Sequence, residues 1–259
     1  MVRMLAGLLA IACLWITPLR AQTPSSRLDD IIARGTLRVG LTGDYLPFSS
    51  FDPATGKFNG FDVEMAEQLG QALGVKVEHV RTSWPKLSAD FAADRFDIAM
   101  GGVSITLDRQ KKGLFSIPIM REGKTPIARC ADKDRFATVA DIDRPGVRVI
   151  VNPGGTNERF ARARISNAEI ITHNDNVSIF DQIAAGHADV MMTDASETKY
   201  QQKLHPGVLC AVHPETPFDF AEKAYWLQRD VALKGFIDQW LHIMQETGSF
   251  RSVSSRWFE

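Results

Sequence analysis

Hydrophobic residues follow two spacings that alternate along the chain. The segment GFDVEMAEQLGQALG has apolar residues at the spacing of an amphipathic helix, and Gly74 ends it. The segments on either side, 37–41, VKVEHV and FDIAM, have the short apolar or alternating patterns of strands. Strands that alternate with helices predict an α/β protein with a mainly parallel sheet.

The second half of the chain repeats this plan. VRVIV (147–151) and AEIIT are predicted strands, with a helix between them at about 158–165. Residues 91–106 and 183–198 share one pattern: a helix end, an aspartate (Asp97 or Asp189), a short apolar segment and a polar loop. The repeat predicts two lobes of similar design.

The chain is expected to cross between the lobes twice. The crossings are predicted near 121–128 and 216–227, and a helix from Val231 to Thr247 is expected to return to the first lobe. This gives a first lobe of 27–124 plus 220–259, a second lobe of 125–219, and a hinge of two crossing strands. In open α/β sheets, ligands bind at the carboxyl ends of the strands.

The first 21 residues have the composition of a secretory signal peptide. Arg3 precedes an apolar run from Met4 to Thr17, and Ala21 is a small residue at a suitable cleavage position. The alternative is a membrane anchor, but the run is shorter than the ~20 residues that cross a bilayer. We therefore expect export to the periplasm and no membrane attachment after cleavage.

Charge and cysteine content agree with an exported protein. The 259 residues include 30 Lys and Arg and 31 Asp and Glu, and loss of Arg3 and Arg20 changes the net charge from -1 to 28 - 31 = -3. A near-balanced charge argues against a nucleic-acid partner. Loss of Cys13 leaves Cys130 and Cys210, which are candidates for a disulfide in an oxidising compartment.

The predicted strand ends carry polar loops in the first lobe. Loop 42–48 offers Tyr45, which could contact a ligand or simply pack in a turn. Loop 101–109 contains Ser104, Thr106 and Arg109, and a guanidinium beside hydroxyls suits a carboxylate. The alternative for Arg109 is a solvated surface side chain.

Two more loops belong to the second lobe. Gly155 precedes a predicted helix with Thr156 or Asn157 as its cap, which would offer N–H groups to an anion or would be an ordinary helix start. Asp194 and Glu197 are three residues apart, so a helix there places both carboxylates on one face. The alternative is a capping box that uses Thr193 or Asp194.

Sequence signatures of metal and cofactor sites are absent. The six histidines show no metal-ligand spacing, and the chain has no Walker loop, no dinucleotide fingerprint and no G-x-S-x-G. We expect neither a metal nor a cofactor.

The segments LRVGLTGDYLPFS, GFDVEMAEQLG, FDIAMGGVSITLDRQKKGLFSIPIM and GGTNERF resemble the periplasmic amino-acid-binding proteins of ABC transporters over nearly all of 27–259. The resemblance implies a two-lobed periplasmic-binding-protein-like fold. It also implies that Trp84 and the aromatic residue of the first loop sandwich the ligand. Ser104 and Arg109, with Thr156, would hold its α-carboxylate, and Asp194 would take its α-ammonium.

Longer segments, including TSWPKLSADFAADRFDIAM, IVNPGGTNERFARA and PFDFAEKAY, resemble the cyclohexadienyl dehydratases, exported enzymes with the same fold that act on prephenate and arogenate. Glu197 is at the position of the cleft acid of these enzymes, and Gly155 and Asn157 fit their pattern. The resemblance implies that Glu197 is a general acid with a raised pKa. The alternative is an amino-acid-binding protein without catalysis, and self-association is left open.

Overall fold

A computed structural model of the protein describes residues 25–259. The predicted signal peptide, 1–21, lies outside the described residues. Within 25–259, no helix is both long enough and apolar enough to cross a bilayer.

Fifteen strands are present in the described residues. They are β1 (Thr36–Leu41), β2 (Asp44–Tyr45), β3 (Ser49–Asp52), β4 (Lys57–Asn59), β5 (Lys76–Arg81), β6 (Ile98–Ala99), β7 (Leu114–Phe115), β8 (Met120–Glu122), β9 (Lys124–Arg129), β10 (Arg148–Val151), β11 (Glu169–Thr172), β12 (Val190–Asp194), β13 (Leu209–Ala211), β14 (Ala221–Lys223) and β15 (Trp226–Leu227).

Ten α-helices accompany these strands in residues 25–259, with a 3-10 turn over Cys130–Arg135. They are α1 (Arg27–Arg34), α2 (Phe61–Leu73), α3 (Leu87–Ala92), α4 (Leu107–Gln110), α5 (Val139–Ile142), α6 (Thr156–Arg164), α7 (Ile179–Ala184), α8 (Ala195–Leu204), α9 (Val231–Glu246) and α10 (Ser249–Phe258).

Ten of the strands form two five-stranded sheets, one in each lobe, and the others form a three-stranded sheet (β2-β3-β4) and a two-stranded sheet (β14-β8). The first five-stranded sheet has the order β5-β1-β6-β15-β7 and the second the order β11-β10-β12-β9-β13. In each five-stranded sheet the strands that alternate with helices pair in parallel, and the strands that follow a crossing pair antiparallel. The predicted α/β fold with two lobes of similar design is confirmed.

The internal repeat has a structural counterpart in two buried aspartates. The Asp97 carboxylate accepts hydrogen bonds from the backbone N–H of Arg38 (2.8 Å) and from its guanidinium (2.9 Å). Asp189 accepts the same pair of bonds from Arg148, at 2.9 and 2.8 Å. Each aspartate thus ties the segment before one strand to the neighbouring strand, which explains why the pattern occurs twice.

The chain passes between the lobes at two adjacent strands. Strand β8 pairs antiparallel with β14, which comes from the return crossing. Lys124 begins β9 and pairs with Asp194 of β12, so the pairing places it in the second sheet, at the predicted boundary of 124. The predicted return helix is confirmed as α9, whose buried residues Leu233, Ile237 and Leu241 pack in the core of the first lobe.

A disulfide joins Cys130 and Cys210, with the two Cα atoms 4.8 Å apart. It links the end of β9 to the neighbouring strand β13. The disulfide predicted from the cysteine count is therefore confirmed, and it lies wholly within the second lobe.

Candidate functional site

Most of the predicted binding residues surround one small inner cavity between the lobes. This inner cavity has a volume of about 10 Å³. Its lining includes seven of the predicted residues: Tyr45, Trp84, Ser104, Gly155, Thr156, Asn157 and Asp194. The loops at the carboxyl ends of the strands in both sheets thus meet at one place, as expected for an α/β fold.

Glycines let the loop after β6 approach the aromatic residues. Gly102 has a φ of +72°, and a Cβ there would overlap the Tyr45 ring. The backbone N–H groups of Gly101 and Gly102 both donate to the buried Asp62 carboxylate, at 2.8 and 2.7 Å. Asp62 therefore fixes the loop that carries Ser104.

The Tyr45 ring is 3% exposed and packs between two other aromatic rings. It stacks on Phe48, with ring centroids 5.2 Å apart, and meets Trp84 edge to face at 5.5 Å. The packing role that the sequence left open for Tyr45 is therefore observed, and its contact with a ligand stays a prediction. Tyr45 is packed in the first lobe, and its hydroxyl reaches Asp194 of the second lobe.

Asp194 is at the centre of a buried ion cluster. Lys124 Nζ is 2.6 Å from Asp194 Oδ1, and Lys223 Nζ is 2.6 Å from Asp194 Oδ2. Burial would raise the pKa of Asp194, but the two ammonium groups outweigh it and hold the pKa well below its usual range. Asp194 is therefore charged, and the lysines engage both of its oxygens.

The two lysines also donate hydrogen bonds to hydroxyl and amide groups that were predicted to bind a ligand. Lys124 Nζ donates to Thr156 Oγ1 at 3.0 Å and to Asn157 Oδ1. Lys223 Nζ donates to Ser104 Oγ at 2.9 Å. Both ammonium groups are buried, and Lys223 lines the inner cavity, whereas Lys124 lies behind its lining.

Glu197 lies behind Asp194 on the first turn of α8 and is 1% exposed. Its carboxylate oxygen accepts a hydrogen bond from the Thr193 hydroxyl, which itself accepts one from Asn157 Nδ2 at 2.9 Å. Glu197 does not line the inner cavity, whereas Asn157 does. Burial raises the pKa of Glu197 to about 8, and the negative charge of Asp194 contributes to the rise.

A third carboxyl, that of Glu122, lies on the hinge side of the cluster. Its Oε1 atom is 3.4 Å from Lys223 Nζ, and its Oε2 atom accepts the backbone N–H of Ser196 at 3.0 Å. Burial raises the pKa of Glu122. Three acids and two lysines therefore meet where the lobes join.

Arg109 and Thr106 lie outside the inner cavity, in a larger cavity of about 360 Å³ that we call the cleft mouth. Arg109 is 5% exposed, and its Nη1 donates to the Ser104 carbonyl at 2.8 Å. The alternative of a solvated surface arginine is therefore wrong. Thr106 caps α4, accepting the backbone N–H of Arg109 at 3.2 Å.

The helix caps differ from two expectations. Gly155, and not Thr156 or Asn157, is the N-cap of α6, and the helix makes no side-chain cap bond. Asp194 is the N-cap of α8 and also makes no side-chain cap bond, so the capping-box alternative is wrong. Lys124 instead donates hydrogen bonds to Thr156, Asn157 and Asp194, and Lys223 donates one to Asp194.

Direct contacts hold the lobes together over the site. Asn176 Nδ2 of the second lobe donates to the backbone carbonyl of Asp44 in the first, at 2.8 Å. Tyr45 and Asp194 make a second link. A volume of about 10 Å³ holds about one water molecule, so a ligand reaches the inner cavity only when the lobes separate.

Three residues of the ion cluster were not predicted from the sequence. Lys124, Lys223 and Glu122 all lie in the two crossing segments. The sequence around the two lysines gives no signal of their burial, because Lys124 lies between Gly123 and Thr125 and Lys223 follows Glu222. Within 25–259, no three or more His, Cys, Asp or Glu side chains are grouped so that they could hold a metal ion.

Comparisons with known proteins agree with this fold. Residues 37–259 match the model of the bacterial extracellular solute-binding proteins, family 3. The chain is 55% identical over 251 residues to a cyclohexadienyl dehydratase of Pseudomonas aeruginosa, covering 96% of this chain and 93% of that protein.

Two solved structures are also similar. One is an ancestral amino acid-binding protein, a precursor of cyclohexadienyl dehydratase, with 35% identity and a TM-score of 0.83 over 90% of this chain and 100% of that one. The other is an ancestral cyclohexadienyl dehydratase, with 50% identity and a TM-score of 0.57 over 91% and 98%.

Proposed function

The chain belongs to the bacterial extracellular solute-binding proteins of family 3, and we propose that it is a cyclohexadienyl dehydratase, a carbon–oxygen lyase. It converts prephenate to phenylpyruvate and arogenate to phenylalanine. The 55% identity to the Pseudomonas aeruginosa enzyme over nearly the whole chain supports this assignment.

The observation that carries the proposal is the state of Glu197. A carboxyl with a pKa of about 8 holds its proton at neutral pH and can give it to a leaving hydroxyl. Asp194 is three residues away and is charged, so one turn of chain presents an acid and an anion with opposite protonation. Such a separation of pKa values is the arrangement that general acid catalysis requires.

The reaction needs only this proton and a fixed substrate. The bond between the ring and its carboxylate breaks, and carbon dioxide leaves. The electron pair of that bond enters the ring, and the bond to the ring hydroxyl breaks. Glu197 does not line the cavity of about 10 Å³, so the bound substrate must widen this site until its ring hydroxyl reaches Glu197. The hydroxyl then takes the proton of Glu197 and leaves as water, and the ring becomes aromatic. No electron acceptor is consumed, so the proposed step uses no cofactor.

The other residues bind and orient the substrate. Lys223, which lines the inner cavity, is placed to meet one carboxylate, Lys124 orients Thr156 and Asn157 beside it, and Arg109 at the cleft mouth is placed to meet the other carboxylate. Tyr45 and Trp84 offer ring faces and edges to the cyclohexadiene. Asp194 holds both ammonium groups in position, which differs from the ammonium-binding role that the resemblance to transport proteins implies.

We place the enzyme in the periplasm. A cleavable signal peptide at 1–21 would direct its export, and the Cys130–Cys210 disulfide suits an oxidising compartment.

Incubation of the exported form of the protein with prephenate tests the proposal. Phenylpyruvate should form, and Glu197→Gln should reduce kcat by about 10²- to 10⁴-fold, the range of general acid catalysis, while circular dichroism stays unchanged. Glu215→Gln is the matched control, because Glu215 is an exposed carboxyl paired with Lys199 at 2.7 Å and lines neither the inner cavity nor the cleft mouth that holds Arg109. It should keep the original rate.

The competing function is that of an amino-acid-binding protein. It predicts tight binding of an intact amino acid and no phenylpyruvate. Normal turnover by Glu197→Gln would instead leave the enzyme assignment in place and show that another group is the acid.

A further inference from the structure

The cleft mouth is lined by residues of both lobes. Thr106 and Arg109 come from the first lobe, whereas Gly154 and Arg159 come from the second. Trp84 lines both the cleft mouth and the inner cavity, so the two spaces are neighbours. A substrate with its ring in the inner site would extend a side chain past Trp84 into the cleft mouth.

The side chains of the cleft mouth are strongly cationic. Arg109, Lys111, Lys112 and Arg159 line it together with a single acid, Asp108. That acid is exposed and is 3.2 Å from Lys111 Nζ, so it is already paired. The remaining positive charge favours an anion in this space and disfavours a second cation.

Two of these cations approach each other from opposite lobes. The Arg109 guanidinium is buried, and among residues 25–259 its side-chain hydrogen bond is to the Ser104 carbonyl and not to a carboxylate. Burial lowers the pKa of Arg109 to about 10, and the charge of Arg159 contributes to this decrease. Lobe closure thus brings two guanidinium groups together at a cost that a bound carboxylate would offset.

We infer that Arg159 is a substrate-binding residue that closes, from the second lobe, on the side-chain carboxylate held by Arg109, and that this pair makes the site prefer a 2-oxo acid to the corresponding amino acid. The inference rests on the proposed function, since it names which of the two substrates the same site prefers. The 2-oxo acid brings a carboxylate and a carbonyl to the cleft mouth. The amino acid brings an ammonium into the excess positive charge.

The inner site adds to this preference. Asp194, the acid that an α-ammonium would seek, has both oxygens engaged by Lys124 and Lys223. Asp194 therefore offers no free oxygen that could compensate an ammonium held in the cleft mouth, whereas a keto oxygen needs no such anionic partner. Prephenate is therefore the preferred substrate and arogenate the poorer one.

Steady-state kinetics with both substrates test the inference. The unmodified protein should have at least a tenfold higher kcat/KM for prephenate. Arg159→Gln should raise KM for prephenate by about ten- to a hundredfold, the range of one charge-assisted hydrogen bond, with little change in kcat. Arg159→Gln should also reduce the ratio of kcat/KM for prephenate to kcat/KM for arogenate. Arg159→Lys should restore part of the KM for prephenate and part of this ratio. Because Arg159 is exposed, its replacement should leave the fold intact.

Arg164→Gln is the matched control. It removes the same charge from the same helix, α6, at an exposed position that does not line the cleft mouth. Equal kinetics for Arg159→Gln and Arg164→Gln would overturn the role of Arg159, and a preference for arogenate would overturn the selectivity. In both cases the dehydratase assignment would stand. Turnover of neither substrate would reject the proposed function and this inference together.

Discussion

The protonation of Glu197 can be measured without any substrate, through its effect on stability. The carboxyl has a pKa of about 8 in the folded protein and a usual value of 4.5. Between these two values the unfolded chain releases a proton that the folded chain retains. The free energy of unfolding therefore falls as pH rises from 4.5 to 8 and is constant above that range.

Glu197→Gln replaces the carboxyl by a neutral side chain of similar shape, so this fall in the free energy of unfolding with rising pH should not occur. Each pKa unit corresponds to 1.36 kcal/mol, so the full difference of 3.5 units is worth roughly 5 kcal/mol. Between pH 5 and pH 8, Glu197→Gln should gain about 4 kcal/mol relative to the unmodified protein. At roughly 2 to 4 °C per kcal/mol for a chain of this size, the Tm difference should widen by about 8 to 16 °C.

Differential scanning fluorimetry at several pH values between 5 and 8.5 gives the two Tm curves. Asp189→Asn is the control, because folding lowers the pKa of Asp189 but raises that of Glu197. Burial alone would raise the pKa of Asp189, but hydrogen bonds from Arg148 and Arg129 outweigh it and lower the pKa to about 2. The charged form of Asp189 therefore stabilises the fold fully throughout this pH range, and its variant should be less stable by a constant amount. A Tm difference for Glu197→Gln that does not change with pH would refute a buried, neutral Glu197.

Three further predictions concern the ion cluster, the disulfide and lobe closure. Lys124→Met leaves the buried charge of Asp194 with one lysine. The free energy of unfolding in urea titrations should therefore fall by about 3–5 kcal/mol, and kcat/KM should fall at least tenfold. Unchanged values for both would contradict the role of the ion cluster. The Cys130–Cys210 bridge spans 80 residues, so its reduction should cost roughly 4.5 kcal/mol by the chain-entropy relation, seen as a lower Tm with dithiothreitol; an equal Tm would contradict this. Asn176→Ala removes a hydrogen bond between the lobes worth about 0.5–1.5 kcal/mol, so KM for prephenate should rise about two- to tenfold in initial-rate assays, and an unchanged KM would show that this bond does not hold the lobes closed.

Local patterns in the sequence were sufficient to predict the lobes and much of the candidate site. Asp97 and Asp189 occur at equivalent points of the two halves because each connects one strand to its neighbour by hydrogen bonds. The same requirement in both sheets gives the two halves a similar sequence pattern. Asp194 and Glu197 were assigned to one helix face because their three-residue spacing is a local property. The structure places Asp194 at the N-cap of α8 and Glu197 on its first turn.

The partners of the acids could not be found in the same way. Lys124 is 70 residues from Asp194 and Lys223 is 29 residues from it, and the contacts depend on how the crossing strands lie between the sheets. A buried lysine carries no local mark of its partner. The position of Arg159 is a similar case, because it lines the cleft mouth together with Arg109 only when both lobes are assembled.

The burial of Glu197 has a consequence for the order of events in a catalytic cycle. In the proposed reaction Glu197 gives up its proton once, and the closed cleft then holds a second negative charge near Asp194. Because burial disfavours that charge, the closed arrangement is less stable after the chemical step than before it. Separation of the lobes then releases the products and lets water return the proton to Glu197. The residue that donates the proton would thus also determine when the protein reopens.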